Sequence, residues 1–432
     1  MMEPVLIIGG GLTGLVAAEQ LERAGTPTVV LEREVTPGGA CRSLSDEGFT
    51  FDYTGHLLHV ARPETQAYLE ELGLWRQLKV HRRRAAVVIG GHATPYPVQI
   101  NTHGLDPEVR RDCLLGFVRA WADETAEEPA DFRAWVLDRF GEGLADHFFF
   151  PYNSKLYRAR PEELSLDWVG RYVPKPKLEE VVDGALGLHD EDVGYNATFR
   201  YPASGGISLL PNGVAGRLSC LRLEREVTGV HLGERWVELA DGEQLGWRKL
   251  LSTISLPALI DRLVDPLPEE VAAARRKLRW VRVVNLALGV EGPAPSTEHW
   301  LYFPDPELPF YRVGFPSNHG DLAPPGCHTV SVEASLDPGV GDVEALAAGA
   351  QSALAGAGLL EEGALRVRRV TVLDPAYVVF DHHRRQAVAL LRDFLRQRGV
   401  TLAGRWAEWK YSAMEDAVLD GMRAARNLSD AG

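Results

Sequence analysis

Three glycines near the start of the chain have the spacing of a phosphate-binding turn. Gly9, Gly11 and Gly14 form a Gly-x-Gly-x-x-Gly pattern directly after an apolar run at 5–8. In such a turn the first glycine allows a tight bend, the second lets the backbone approach a pyrophosphate, and the third lets a helix pack on a strand. The helix N-terminus that follows offers free N–H groups and a positive dipole to phosphate. These residues predict a dinucleotide site.

An acidic residue and a second pair of glycines narrow the choice of dinucleotide. Glu32 ends the next apolar run, at 29–31, where its carboxylate can accept hydrogen bonds from an adenosine ribose. Gly38 and Gly39, followed by Arg42, suit a loop around the flavin side of a pyrophosphate. Nicotinamide dehydrogenases do not usually carry such a loop, so the pattern favours a flavin.

The end of the chain is predicted to complete the same site. Gly404 and Arg405 follow a short apolar run, and Asp416 lies in the first turn of a segment with helical spacing. The two termini together predict FAD as the cofactor. The residues expected to bind it are Gly9, Gly11, Gly14, Glu32, Gly39, Arg42, Val227, Gly404, Arg405 and Asp416.

Apolar periodicity predicts the elements that position these residues. A strand at 5–8, a helix at 15–24 and a strand at 29–31 form a βαβ unit. Helical spacing prevails from about 107 to 187, and strands are expected at 85–89, 281–290 and 328–333. Strands at 227–239 and 249–252 flank Asp241-Gly242, a hairpin signal.

The predicted fold class is α/β, a Rossmann-like FAD-binding domain with a helical insertion and an antiparallel β-sheet insertion. The FAD-binding domain is expected to be discontinuous, at 1–79, 188–269 and 360–432. The helical insertion is expected at 103–187, and the β-sheet substrate domain at 80–102 and 270–359. Ligand sites tend to lie between such domains.

Length and charge exclude several functional classes. A chain of 432 residues predicts two or three domains, and no apolar run reaches the ~18–20 residues of a membrane span. The net charge of −14 argues against nucleic acid and anionic membranes as partners, and anionic ligands therefore need locally placed arginines. The four cysteines are scattered, without metal or disulfide spacing, which favours reduced thiols and a cytoplasmic location.

Three motifs in the middle of the chain are more specific than the flavin turns. They are Pro151-Tyr152-Asn153-Ser-Lys155, Asn196-Ala-Thr-Phe-Arg200 and Phe310-Tyr311-Arg312. In this order, together with Gln99 and the terminal Gly404-Arg405, they resemble UDP-galactopyranose mutases of the eukaryotic type. The resemblance extends from Val5 to Ala425.

The resemblance implies an isomerase that uses flavin without net redox change, an intramolecular transferase. Reduced FAD attacks the anomeric carbon of a nucleotide sugar through N5, the nucleoside diphosphate leaves, and it returns after the sugar ring has changed size. Because only the reduced form is nucleophilic, a reductant such as NAD(P)H is an expected partner. The expected substrate is a nucleotide sugar linked to UDP.

The resemblance also implies roles for individual residues. Arg312 matches a diphosphate arginine, whose fork can give bidentate contacts. The tyrosines 302, 377 and 411 match phosphate-binding tyrosines, and His56 matches a loop histidine beside the flavin. The implied catalytic residues are His56, Asn196, Tyr302, Arg312, Tyr377 and Tyr411, and the implied substrate-binding residues are Gln99, Asn153, Tyr157, Arg171 and Tyr172.

The sugar-nucleotide half of the predicted site departs from the family pattern. Tyr172 occupies the position of the family's second diphosphate arginine, and Arg171 lies one residue earlier, which turns a helical side chain by roughly 100°. Which of the two takes the role stays open. Tyr157 stands where tryptophan is usual. A charge-assisted contact is worth ~1.5–3 kcal/mol, enough to change the preferred sugar or nucleotide without changing the chemistry.

Two other functions remain open on the sequence. One is an FAD-dependent oxidase or desaturase of the amine oxidase or protoporphyrinogen oxidase type, because the flavin motifs are shared with those enzymes. It predicts oxygen consumption with an organic substrate and no affinity for uridine nucleotides. The other is a flavin-binding protein without catalysis, for which no substrate would alter the flavin spectrum.

Overall fold

A computed structural model describes residues 3–123, 128–169, 173, 175–188 and 197–429. Its centre is a five-stranded parallel sheet, and this confirms the Rossmann-like prediction. The strand order in this sheet is Val400–Leu402, Lys249–Ser252, Val5–Ile8, Thr28–Leu31 and Leu221–Arg222. A strand from each end of the chain thus belongs to this sheet, and Lys249–Ser252 lies between the two.

Two helices close one face of the parallel sheet. Leu12–Arg23 follows the first glycine turn, and Met414–Ser429 comes from the end of the chain. A Cβ placed on Gly421 would lie 2.6 Å from the carbonyl oxygen of Thr13, so only glycine allows this close helix crossing. The crossing brings the two predicted halves of the cofactor site into contact.

A seven-stranded sheet forms the second layer. Its strand order is Leu365–Val378, Trp280–Glu291, Cys327–Leu336, Arg312–Gly314, Trp300–Tyr302, Ala85–Ile89 and His92–Pro95. All neighbours are antiparallel except Trp300–Tyr302 and Ala85–Ile89, which pair in parallel. The strand Leu365–Val378 belongs to this sheet although its sequence lies in the range 360–432 assigned to the cofactor domain.

Three smaller sheets complete the strand pairing in the described residues. One holds Val227–His231, Trp236–Leu239 and Gln244–Gly246, and the others pair Ser43–Asp46 with Phe49–Asp52 and Leu78–Arg82 with Thr198–Pro202. The prediction that the strand at 249–252 forms a hairpin across Asp241-Gly242 was wrong. That strand joins the parallel sheet beside Val5–Ile8, because its Leu250 and Leu251 are fully buried between layers.

The predicted helical insertion contains four helices in the described residues. Pro107–Ala122 and Phe132–Leu144 begin at Asp106 and Asp131, whose side chains cap backbone N–H groups of their first turns. Phe150–Tyr157 follows a π-helical turn, Ala145–Phe149, and Leu178–Leu186 follows later. The remaining helices are Pro63–Glu71, Leu209–Ala215, Leu256–Ile260, Glu269–Arg276, Val343–Gly356 and Arg384–Arg396.

No helix within the described ranges combines the length and the apolar character that a bilayer crossing requires.

Candidate functional site

The first glycine turn has the conformation that its spacing predicts. Gly9 has φ +107°, where side chains are strained, and a Cβ on Gly14 would lie 2.1 Å from the carbonyl oxygen of Gly9. Gly11 precedes the helix Leu12–Arg23 and has an ordinary φ of −73°. A Cβ on Gly11 would meet only the Cα of Gly39, at 4.0 Å. An open strip therefore runs past Gly11 at the helix N-terminus, next to the point where the N–H of Gly38 donates to the carbonyl oxygen of Gly10 at 2.8 Å.

Glu32 lies beside this turn and is buried. Its Oε2 accepts a hydrogen bond of 2.7 Å from the backbone N–H of Gly10, and its Oε1 accepts one of 3.0 Å from Glu34. These bonds hold the carboxylate at the C-terminal end of its strand. Each oxygen keeps a second acceptor position for a ribose hydroxyl.

Arg42 supports the second glycine turn. Its Nε donates to the carbonyl oxygen of Gly39 at 2.9 Å, its Nη1 pairs with Glu34 at 3.0 Å, and its guanidinium lies 4.4 Å from the ring centroid of Tyr53. Gly39 has φ +58°. The contacts of Arg42 thus stabilise the loop that contains Gly39.

The C-terminal residues lie against the same helix N-terminus. Gly404 has φ +90°, and a Cβ there would meet the Oγ1 of Thr13 at 2.8 Å. Arg405 donates to the carbonyl oxygens of Ser412 at 2.9 Å and Ala376 at 3.3 Å. Asp416 accepts from the N–H of Ala413 at 2.8 Å and so holds the start of the last helix. Thr13, which the sequence analysis did not single out, lies against Gly404 and so connects the N-terminal and C-terminal halves of the cofactor site.

These residues fit FAD. The glycines leave backbone N–H groups and an open strip for a pyrophosphate, and the buried carboxylate of Glu32 stands ready for a ribose. Val227, also predicted to bind the cofactor, is buried at the start of the strand Val227–His231. Its carbonyl oxygen accepts a hydrogen bond of 2.7 Å from Nε of Arg262.

A cleft lies between the segment 51–57 and the seven-stranded sheet. It is lined by residues from the loop at 51–57 and from four strands and their ends, among them His56, His299, Trp300, Arg312, His319 and Glu333. Two residues of the predicted catalytic set, His56 and Arg312, therefore face one cavity.

Arg312 forms a buried ion pair with Glu333. Nη2 of Arg312 lies 2.6 and 2.7 Å from the two carboxylate oxygens, and Glu333 is only 2% exposed. Burial alone would raise the pKa of Glu333, but the charge of Arg312 and three donated hydrogen bonds lower it below its usual value. The other two donors are the Tyr311 hydroxyl at 2.8 Å and the Gly55 N–H at 3.1 Å. The carboxylate of Glu333 thus connects Arg312 to the loop that contains His56.

His56 is held as a neutral imidazole. Burial lowers its pKa to about 4, and Nδ1 lies 3.1 Å from the carbonyl oxygen of Thr54. The bond to the carbonyl oxygen needs a proton on Nδ1, whereas the hydroxyl of Thr54, 3.2 Å from the same nitrogen, can instead donate to it. In either arrangement the lowered pKa leaves His56 uncharged at neutral pH.

The predicted tyrosines border the arginines. Tyr302 is directly opposite Arg312 in the strand register, and its ring lies 5.6 Å from that of Tyr152. Arg405 lies 5.2 Å from the ring of Tyr377 and 5.1 Å from that of Tyr411. Burial raises the pKa of Tyr302, and it raises that of Tyr377 to about 12, so both hydroxyls stay protonated donors.

The predicted substrate-binding residues are more dispersed. Gln99 is buried in the short helical turn Val98–Ile100, and Nδ2 of Asn153 donates to the carbonyl oxygen of Phe149 at 2.8 Å. Tyr157 is 2% exposed, and its ring packs 6.3 Å from Tyr377. Arg171, Tyr172 and Asn196 lie outside the described residues.

Sequence reasoning missed a cluster of histidines, two of which, His299 and His319, line the cleft. The rings of His299 and His319 are 5.4 Å apart, and His81 lies 6.1 Å from His319. Burial lowers the pKa of His299 to about 4 and that of His319 to about 3, so these rings are neutral. No motif links these positions, because they belong to separate segments of the chain that meet only in the folded protein.

Comparison with known proteins establishes the family. Residues 12–429 match the family of flavin containing amine oxidoreductases, and the chain belongs to it. FAD is the cofactor that this family and the glycine turns imply.

Individual relatives include both mutases and oxidases. A crystal structure of reduced UDP-galactopyranose mutase superposes with a TM-score of 0.93 at 27% identity, covering 100% of this chain and 95% of that one. A probable UDP-galactopyranose mutase of Klebsiella pneumoniae is 24% identical over 37% of this chain and 42% of its own. Protoporphyrinogen oxidase 2 of Arabidopsis thaliana is 25% identical over 38% of this chain and 34% of its own. The chain thus matches less than half the length of these two curated relatives.

Proposed function

We propose that the chain is an FAD-dependent nucleotide-sugar pyranose/furanose mutase. The observation that carries the proposal is that Arg312 and the loop of His56 line one cleft, with Tyr302 opposite Arg312 in the register of the neighbouring strand. The similarity over the full chain to a reduced UDP-galactopyranose mutase supports it. An oxidase of small amines has no need for a guanidinium and phenolic donors grouped in this way.

The chain's own residues would bind and stabilise the nucleoside diphosphate as it leaves and returns. Both bonds from Arg312 to Glu333 start from Nη2, which leaves the Nε and Nη1 protons of this guanidinium for phosphate oxygens. The protonated hydroxyls of Tyr302 and Tyr377 can donate to the same anion. Preorganised donors aimed at developing negative charge are among the largest contributions to catalysis. When bound, reduced FAD would supply the nucleophile for the anomeric carbon.

Nucleotide binding tests the substrate class. We expect the holoenzyme to bind UDP, or failing that dTDP or GDP, and to convert the matching pyranose sugar nucleotide to its furanose form after reduction with dithionite. Chromatography of the products measures the conversion for each candidate sugar. Binding of none of the three nucleotides would contradict the proposal.

A further inference from the structure

The charge balance of the cleft leaves an anionic ligand short of cations. Arg312 points into the cleft, but its charge is matched by the buried carboxylate of Glu333. Arg405 is engaged with two carbonyl oxygens and lies between the rings of Tyr377 and Tyr411. In a chain of net charge −14, a diphosphate needs a further positive group close by.

Arg83 is placed to provide that group. It joins the strands Leu78–Arg82 and Ala85–Ile89, and its backbone N–H donates to the carbonyl oxygen of Ala197 at 2.8 Å. Its guanidinium lies 4.8 Å from the ring centroid of Tyr96, and that ring lies 5.0 Å from the ring of Tyr302. Arg83, Tyr96 and Tyr302 thus form a row that ends at Arg312.

The electrostatic effect of Arg83 on Tyr302 agrees with this placement. Burial raises the pKa of Tyr302, and the charges of Arg312 and Arg83 both oppose the rise, so both guanidiniums act on this hydroxyl. Within the part of the chain that the structure describes, no ion pair involves Arg83, whereas the neighbouring Arg84 bonds to the carbonyl oxygen of Thr297. Stacking on an aromatic ring orients a guanidinium and leaves its N–H fork available.

We propose that Arg83 determines substrate affinity by supplying the second cation for the diphosphate of the nucleotide substrate. The inference rests on the proposed function and names a residue that the motifs did not indicate. A stacked arginine that bonds phosphate in a bidentate manner contributes a charge-assisted contact. The contact would be absent for a nucleoside, which has no phosphate.

The test compares UDP with uridine by titration calorimetry on the oxidised holoenzyme. Arg83→Met keeps the apolar contact with Tyr96 but removes the charge, and Arg83→Lys keeps the charge without the fork. We expect Arg83→Met to weaken UDP binding by about ten- to a hundredfold and Arg83→Lys by less, while uridine binding stays unchanged. Arg82→Met, at the exposed neighbouring position, is the control for net charge and should bind UDP as the wild type does.

The outcomes separate this inference from the proposed function. If the wild type binds UDP and Arg83→Met binds it equally well, Arg83 has no such role and the mutase proposal stands. If Arg83→Met and Arg83→Lys weaken UDP and uridine to the same degree, the residue is structural, and the inference is overturned. If the wild type binds neither UDP nor dTDP nor GDP, both proposals fall. Flavin content, measured for every variant, shows that the fold is intact.

Discussion

Arg312→Ala is expected to lower turnover by about a hundredfold or more, because loss of one preorganised donor to a developing anion costs ~10²–10³ in rate. It should also destabilise the protein. The substitution leaves the carboxylate of Glu333 buried without its partner, and breaking a buried ion pair costs ~3–5 kcal/mol. Steady-state kinetics and thermal unfolding measure the two effects.

A double variant separates the loss of turnover from the loss of stability. Arg312→Met with Glu333→Gln removes both charges, and the new amide oxygen can accept from the Gly55 N–H while the amide NH2 group donates to the Tyr311 hydroxyl. We expect unfolding near that of the wild type, bound flavin, and turnover still about a hundredfold lower. Turnover close to wild type in this variant would refute the role of Arg312.

The same pair predicts a dependence of stability on pH. The pKa of Glu333 in the folded protein lies below its usual value of 4.5. The stabilisation is therefore present above about pH 4.5 and is lost as the pH falls through the folded pKa. The double variant should lose this contribution, so its unfolding midpoint should fall less steeply in acid.

Gly11→Ala is expected to give a folded protein that binds FAD about tenfold or more weakly. The new methyl group would meet no protein atom closer than the Cα of Gly39 at 4.0 Å, and φ is −73°, so the protein tolerates it. The methyl group would project into the strip where the pyrophosphate is predicted to pass. The flavin-to-protein absorbance ratio and the melting temperature measure the two properties.

Substitutions at two further glycines serve as controls for this prediction. Gly14→Ala would place Cβ 2.1 Å from the carbonyl oxygen of Gly9, so this variant should lose stability as well as flavin. Gly349→Ala, in the exposed part of the helix Val343–Gly356, meets nothing within 4 Å and should retain flavin fully. Wild-type flavin affinity in Gly11→Ala would show that the backbone there does not approach the cofactor.

The parts of the fold that could be predicted are those with a local signal. The glycine turn, its flanking strand and helix, and the strand Ala85–Ile89 follow from spacing and periodicity over a few residues. The strand Lys249–Ser252 was predicted, but its partner was not. A parallel partner more than two hundred residues away leaves no mark on the nearby sequence, whereas a hairpin turn does.

The same limit applies to the candidate site, where local patterns can mark a residue but not its distant partner. Glu333 is the one acidic residue in the strand Cys327–Leu336, and this isolated charge was a signal that could have marked it. Its pairing with Arg312 comes from the register of two neighbouring strands, which the sequence does not display. Arg83 belongs to a run of three arginines, and only its packing on Tyr96 distinguishes it from its neighbours.

The most direct test of the proposed chemistry compares one enzyme preparation in its two redox states. Under anaerobic conditions, the dithionite-reduced holoenzyme should interconvert pyranose and furanose forms of its nucleotide sugar, and the oxidised holoenzyme should not. The oxidised holoenzyme should consume no oxygen when the sugar is added in air. Equal isomerisation by the oxidised enzyme would contradict the account, and so would oxygen uptake with an amine or porphyrinogen in place of isomerisation.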